Sequence, residues 1–221
     1  MGTQTADLTV AVQDYLKAIY ALEAARERVT TSALAGRVGV SAPSATAMTK
    51  RLAELGLVER APYRGVALTE SGRLGALEVL RHHRLLELYL VNRLGLSWDE
   101  VHAEAELLEH ALSEELEAKI DAELGYPTHD PHGDPIPDRE LRVKAGGGSS
   151  LLDLLPGSRA SVSRVPDGDP DLLRYLAELG LVPGSEVEVV AQAPFGGPVT
   201  VRTEHGDHAI SRELADLIAA G

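Results

Sequence analysis

The sequence predicts a mainly α chain with a small β domain at its C-terminal end. Three observations carry this. Apolar residues recur at helical spacing through most of the chain as far as Gly125. A Gly/Ser-rich stretch, Lys144 to Ser150, then interrupts the pattern. Beyond it come short β-type runs, "RASVSRV", "SEVEVVAQ", "PVTVRTE" and "DHAIS", separated by turn residues, which spell a small barrel.

The first block reads from the N-terminus as follows. "LTVAVQDYLKAIYALEAA" places Val12, Leu16, Ile19, Tyr20 and Leu22 at helical spacing, and "TTSALAGRVGV" is a shorter helix behind a Thr/Ser cap. "SAPSATAMTKRLAELG" is a third helix. Ser41 suits its cap, Pro43 its first turn, and Gly56 the residue beyond its end. "LVERAPYRGVALT" predicts a β-hairpin. In the second block, "ESGRLGALEVLRHHRLLELYLVNRLG" is one long helix ended by Gly95. "SWDEVHAEAELLEHALS" and "SEELEAKIDAELG" are two more, and "YPTHDPHGDPIP" is too dense in turn residues to be helical. The resulting blocks are 1–73, 74–143, a linker at 144–150, and 151–221. The heptapeptide "LAELGLV" occurs at Leu52–Val58 and Leu176–Val182, which predicts in each case a helix end closed by a left-handed glycine and followed by an outgoing strand, rather than a duplicated domain.

Composition bounds the function classes. Of 221 residues 44% are hydrophobic but 4% aromatic, so the core is built from Leu, Val and Ala. The absence of cysteine excludes disulfides, zinc–thiolate clusters and thiol catalysis, and fits a reducing, cytoplasmic setting. No apolar run approaches the roughly 20 residues of a membrane span, and "MGTQTADLTV" has no secretion-signal pattern. The net charge of −13 is unevenly spread. Met1 to Arg73 holds nine Lys/Arg and seven Asp/Glu, the remainder twelve and twenty-seven. A near-neutral module precedes an acidic body.

Helix, helix, turn, helix, hairpin is the order of a winged helix-turn-helix, with Gly39 at the bend. The third helix then enters a DNA major groove with Ser41, Pro43, Ser44 and Thr46 toward base edges, while Lys50, Arg51 and the hairpin's Arg64 suit phosphates.

"DEVHAEAELLEHALSEE" poses a second question. On a helical wheel His102, Glu106, Glu109 and His110 fall within an arc of about 100°. They lie beside the apolar stripe Val101, Ala105, Leu108, Leu112 and Leu116 rather than opposite it. Charges bordering a buried side are costly unless compensated. His83 and Glu87 form a one-turn pair on the preceding helix, with His82 pointing elsewhere. Such pairs are ordinary surface decoration singly. As a cluster, nitrogen and oxygen donors without sulfur suit Mn, Fe, Co or Zn. Metalloprotease, di-iron, phosphate-loop and Gly-x-Ser-x-Gly patterns are absent.

The motifs "DYLKAIYALE", "SAPSATAMTKRLAELGLVE", "GVALTESGR", "RHHRLLELYL", "VHAEAELLEH" and "PHGDPIP" together resemble the metal-dependent repressors of the diphtheria-toxin-repressor and manganese-transport-regulator type. "YLAELGLVPGSEVEVV" looks like the SH3-like domain of the longer members, which is related to the ferrous-transport accessory protein. The resemblance implies a primary metal site at Asp14, Glu106, Glu109 and His110. It implies an ancillary site at His83, Glu87 and His102, to which the barrel adds Asp167, Arg164 being unable to ligate. Acids at Asp14 and Glu106, where iron-responsive members carry Met and Cys, imply Mn(II), with Fe(II) as runner-up and Co(II) or Zn(II) as substitutes. Lys17 stands where the simplest manganese regulators have a second acid. The implied function is a non-enzymatic, homodimeric, metal-activated DNA-binding repressor of metal-uptake genes. A winged-helix regulator of an organic ligand and a metal-dependent helical-bundle enzyme are the alternatives.

Overall fold

The computed structural model describes residues 8–61, 65–144 and 147–221. The chain divides into two compact units that do not follow its linear order. The first takes the chain as far as His82 together with Glu109–Leu112 and Pro137–Arg142. The second takes His83–Leu108, Ser113–Ile136 and Val143–Gly221.

In the first unit, helices α1 (Val10–Ala24), α2 (Thr31–Val38) and α3 (Ala42–Glu54) precede strands β1 (Val58–Ala61) and β2 (Gly65–Leu68). The strands form an antiparallel hairpin with Val58 opposite Leu68. Its core is the helical stripe of α1, Val12, Tyr15, Leu16, Ile19 and Leu22, packed with Leu34, Ala45, Leu52 and Leu57. Local chemistry sets the boundaries. Thr30 Oγ1 accepts the Ala33 amide at the start of α2, and Gly39 ends it at φ 71°. Ser41 caps α3 by accepting the Ser44 amide, with Pro43 in the first turn.

Helix α4 (Glu70–Tyr89) begins in the first unit and runs into the second. Its last turn is π-helical, Leu90–Leu94, before Gly95 at φ 70°, so the long helix expected to reach Gly95 widens at its end. Helices α5 (Val101–Leu108) and α6 (Glu114–Glu123) follow. Helix α5 is shorter than expected, and Glu109 and His110 lie in the turn beyond it. The Glu109 carbonyl is taken by the His82 ring, at 3.1 Å from Nδ1.

The C-terminal part of the second unit is a six-stranded antiparallel sheet in the order β3-β8-β4-β5-β6-β7. The strands are β3 (Ser149–Ser150), β4 (Arg159–Arg164), β5 (Glu186–Gln192), β6 (Val199–Thr203), β7 (Gly206–Ile210) and β8 (Ala219–Ala220). Alternate residues of these strands, Val162, Val187, Val189, Val199, Val201 and Ile210, face a core closed by Leu173 and Leu176 of α7 (Pro170–Glu178). A short α8 (Arg212–Leu217), capped by Ser211, leads into β8. The expected linker does not run free throughout, since Ser149 and Ser150 pair with Ala220 and Ala219. The two "LAELGLV" copies close alike. Gly56 (φ 71°) and Gly180 (φ 73°) are left-handed. The Leu57 and Leu181 amides reach back 2.9 Å to the Leu52 and Leu176 carbonyls. This is the Schellman closure of a helix end. Only the first copy runs directly into a strand.

Candidate metal centre

In the first unit three electron-rich atoms converge. His110 Nε2 lies 3.0 Å from Asp14 Oδ1 and 3.4 Å from Glu109 Oε1. Asp14 sits in the second turn of α1, so the cluster ties that helix to the turn between α5 and α6. Glu109 is fully buried, and Lys17 Nζ donates to its Oε1 at 2.6 Å. The His110 ring is oriented from behind. Gln13 Nε2 donates to the Leu8 carbonyl at 3.1 Å, which turns the amide oxygen toward His110 Nδ1 at 2.6 Å. An amide oxygen accepts, so Nδ1 carries the hydrogen, and Nε2 is the ring nitrogen turned toward the two carboxylates and left to bind a cation.

In the second unit His83 and Glu87 of α4 meet His102 and Glu106 of α5. Glu87 Oε1 lies 2.9 Å from His83 Nε2 and 3.2 Å from His102 Nδ1, and the two imidazoles are 3.1 Å apart. Glu106 Oε1 stands 3.9 Å from His83 Nδ1 and 3.8 Å from His102 Nε2. His83, His102 and Glu106 present donors within 4.8 Å of one another. Burial alone would raise the Glu87 carboxyl. Hydrogen bonds from His102 and His83 and the charge of the nearby imidazoles outweigh it and hold the group well below the usual carboxylate range.

The other oxygen of Glu87 opens a grouping whose histidine the sequence reading missed. Glu87, His132 and Asp167 also present donors within 4.8 Å of one another. His132 is completely buried, although it lies in the turn-rich stretch after α6. Its Nε2 donates to the Trp98 carbonyl at 2.8 Å, and its ring stacks on the Trp98 indole at 5.6 Å. That leaves Nδ1 as the ring atom turned toward Glu87 Oε2, 3.9 Å away. Neither atom has a hydrogen-bond partner. Beside them, Asp130 accepts the His132 and Asp134 amides through Oδ1, while Oδ2 lies 3.5 Å from Arg84 Nε. Burial first, and then the charges of Glu87 and Asp134, push the Asp130 carboxyl well up despite Arg84. A ring nitrogen and a carboxylate oxygen buried face to face without hydrogen bonds, beside further carboxylates, form a poor ensemble alone and a good donor set for a divalent cation. Asp167 belongs to this grouping. Arg164 instead pairs with Asp134 at 3.6 Å. The one sequence signal for His132 is its place between Asp130 and Asp134 in "HDPHGD".

The remaining candidates lie on α3. Ser41, Pro43, Ser44, Thr46, Lys50 and Arg51 are all exposed. Thr46 Oγ1 bonds the Ala42 carbonyl, Ser41 and Ser44 share a hydrogen bond, and Lys50 lies 3.8 Å from Glu54. Arg64 lies outside the described residues. Along the expected apolar stripe, Val101 and Ala105 are buried, but Leu108 and Leu116 are 43% and 50% exposed; Leu107, outside that stripe, is 75% exposed.

Comparison with known proteins now decides the family. Residues 7–66 match the N-terminal DNA-binding domain of iron-dependent repressors, residues 69–138 their metal-binding and dimerisation domain, and residues 149–220 the FeoA domain. The iron-dependent repressor IdeR of Mycobacterium tuberculosis is 35% identical over 224 residues, covering 96% of this chain and 97% of that protein. The chain belongs to the diphtheria-toxin-repressor family of metal-dependent transcriptional regulators. The diphtheria toxin repressor of Corynebacterium diphtheriae is 29% identical over 226 residues, covering 96% of this chain and 97% of that protein. Among solved structures, a manganese-dependent transcriptional repressor in complex with manganese matches with TM-score 0.87 and 43% identity, covering 95% of this chain and 98% of that one. The chain is thus a metal-responsive DNA-binding regulator and not an enzyme, with a winged-helix N-terminal domain, a helical dimerisation domain and an SH3-like C-terminal domain. No helix among the described residues is long and apolar enough to cross a membrane.

Proposed function

We propose that the chain is a homodimeric repressor activated by Mn(II), with Fe(II) as the second-ranked ion, acting on operators of metal-uptake genes. The observation that carries this reading is the meeting of Asp14, Glu109 and His110 around one point, with Gln13 leaving Nε2 of the imidazole as the donor. A bound cation supplies fixed positive charge there. It would hold α1 against the turn that links α5 to α6, and α1 shares one core with Ala45 and Leu52 of the helix bearing the exposed Ser41–Arg51 surface. Oxygen and imidazole donors without sulfur favour a hard or borderline ion. The 43% identity to a manganese-dependent repressor points the same way.

A second cation would sit at Glu87, His132 and Asp167, joining α4 to the chain after β4, with His83, His102 and Glu106 on the opposite side of the Glu87 carboxylate. The exposed Leu107, Leu108 and Leu116, in the region matching the dimerisation domain, supply apolar surface for a second copy. Ser41, Pro43, Ser44 and Thr46 would face base edges, and Lys50 and Arg51 phosphates. The test is selection of duplexes from a random pool with Mn(II), Fe(II), Co(II) or Zn(II), followed by anisotropy titration of the selected duplex. Mn(II) is expected to tighten binding at least about tenfold, a preference of about 1.4 kcal/mol for the DNA-competent form. Equal affinity with and without metal would overturn the reading.

A further inference from the structure

We propose that Gln13 is a positioning residue that delivers His110 to the cation through Nε2 and ties that event to the chain entering α1. The inference rests on the metal-activated reading above but concerns a residue that reading does not use. Gln13 is 6% exposed, buried at the start of α1, and its two polar ends look in opposite directions. One end donates to the Leu8 carbonyl at 3.1 Å, and the other accepts from His110 Nδ1 at 2.6 Å. The arrangement is self-specifying. A carbonyl cannot donate, so the NH2 must face Leu8, and the amide oxygen must face the ring. Turning the amide over would set oxygen against oxygen and NH2 against N–H. His110 is thereby held with Nε2 toward Asp14 and Glu109, 97 residues away in sequence from the glutamine that fixes it.

The Leu8 end gives the second half. Thr9 caps α1 without a side-chain hydrogen bond, and among the described residues backbone bonds to the Thr9 carbonyl and the Gln13 anchor hold the helix start. The Val12 and Gln13 amides reach that carbonyl at 2.8 and 3.1 Å. An ion that pins His110 pins Gln13, and Gln13 pins the backbone at Leu8. By linkage, order at this helix start and ion affinity rise together. Removing the partner that orients a metal-bound imidazole costs about 10- to 100-fold in metal affinity.

Two substitutions separate the two ends. Gln13→Leu removes both. Gln13→Glu keeps an oxygen for His110 Nδ1 but cannot donate to Leu8 when ionised. The full-length protein is labelled with 15N-histidine, and the His110 ring nitrogens are read without metal in mildly alkaline buffer. Mn(II) affinity is read by electron paramagnetic resonance, and exchange of the Val12 and Gln13 amides with and without Zn(II) by NMR. The unmutated protein is expected to show Nδ1 protonated and Nε2 bare. Gln13→Leu mixes the tautomers and weakens Mn(II) about 10- to 100-fold. Gln13→Glu keeps the tautomer and, adding a negative charge near the ion, does not weaken Mn(II), but loses the metal-induced protection at Val12 and Gln13. A Gln13→Leu protein with the unmutated tautomer and Mn(II) affinity would overturn the proposal. So would full metal-induced protection in Gln13→Glu, which also decides the matter if Gln13→Leu fails to fold. If the unmutated protein binds no Mn(II), the regulatory reading falls, and the tautomer in metal-free protein still tests Gln13.

Discussion

Glu87 Oε2 and His132 Nδ1 face each other across 3.9 Å in the interior of the second unit, each without a hydrogen bond. The pairing predicts a specific response to Mn(II). Trp98 is the chain's one tryptophan, and it stacks on the His132 ring. A paramagnetic ion at His132 should therefore quench its emission, and His132→Ala should abolish that quenching and lower the bound manganese by one ion per chain. At free ion about 100 times its Kd, the bound cation adds about 2.7 kcal/mol of stability, which His132→Ala should forfeit. Emission titrations, metal analysis after dialysis and thermal melts check the three effects. Unchanged quenching in the variant would remove this cation site.

Lys17 is the counter-charge of the first site. Its Nζ lies 2.6 Å from a carboxylate oxygen of the fully buried Glu109. It neutralises that acid when no ion is bound and repels an ion that arrives. Lys17→Met should lower the stability of the metal-free protein by about 1–3 kcal/mol, because the buried Glu109 carboxylate loses a charged hydrogen-bond donor. The same change should tighten Mn(II) about tenfold, since one like charge near the ion is gone. Denaturant midpoints with chelator and with Mn(II) should move in opposite directions. Parallel movement would show that Lys17 supports the site rather than opposing the ion.

Gly72 marks where α4 leaves the hairpin. A Cβ there would meet the Leu57 carbonyl oxygen at 1.9 Å, backbone against side chain, so the helix start must shift to admit one. The Gly72 amide also bonds Thr69 Oγ1 at 3.1 Å. Gly72→Ala should destabilise the first unit by about 2–3 kcal/mol, as overpacking does, read as a lower urea midpoint with an unchanged slope. The Gly36 site, with open space around its would-be Cβ, is the control. Gly36→Ala in α2 should be neutral or slightly stabilising.

What the sequence made legible was local. Ser41, Pro43, Gly39 and Gly56 act within a turn of where they sit, and their capping and left-handed roles appear as the composition implied. The His83/Glu87 pair likewise follows from helical period. The end of α5 did not. A regular wheel carries Glu109 and His110 on with Glu106, but the chain leaves the helix at Leu108, a break tied to His82, 27 residues earlier. His132 was hidden for a similar reason. Nothing periodic marks "HDPHGD", and its burial is tertiary: Val165 bonds the His132 carbonyl at 3.0 Å, and Gly133 (φ 91°) lies so close to the Ser163 carbonyl that a Cβ would meet it at 2.0 Å. Strand β8 and helix α8 were too short to leave a pattern.

The Asp99–Arg174 pair gives the acid limit of the second unit. Asp99 is 6% exposed, and its Oδ2 accepts from Arg174 Nη1 of α7 at 2.7 Å, while Oδ1 accepts from the Ser97 hydroxyl. The Ser97 hydrogen bond first, and then Arg174, hold its carboxyl below the usual aspartate value. A depressed folded pKa means that protonation opposes folding. The contribution is therefore complete above the unfolded value of about 3.9 and fades as pH falls through the lower folded value. Arg174 is bonded to Asp171 as well, so Asp99→Asn leaves the guanidinium a partner and removes only the Asp99 charge. The variant should be less stable than the unmutated protein at neutral pH. The gap should begin to close below about pH 4, where Asp99 of the unfolded chain takes up its proton, and the two should converge once pH has fallen below the depressed folded value. Melts from neutral to acid pH in chelator keep the metal sites out of the comparison. A stability gap that persists unchanged below that range would mean that the pair acts through shape and not through charge.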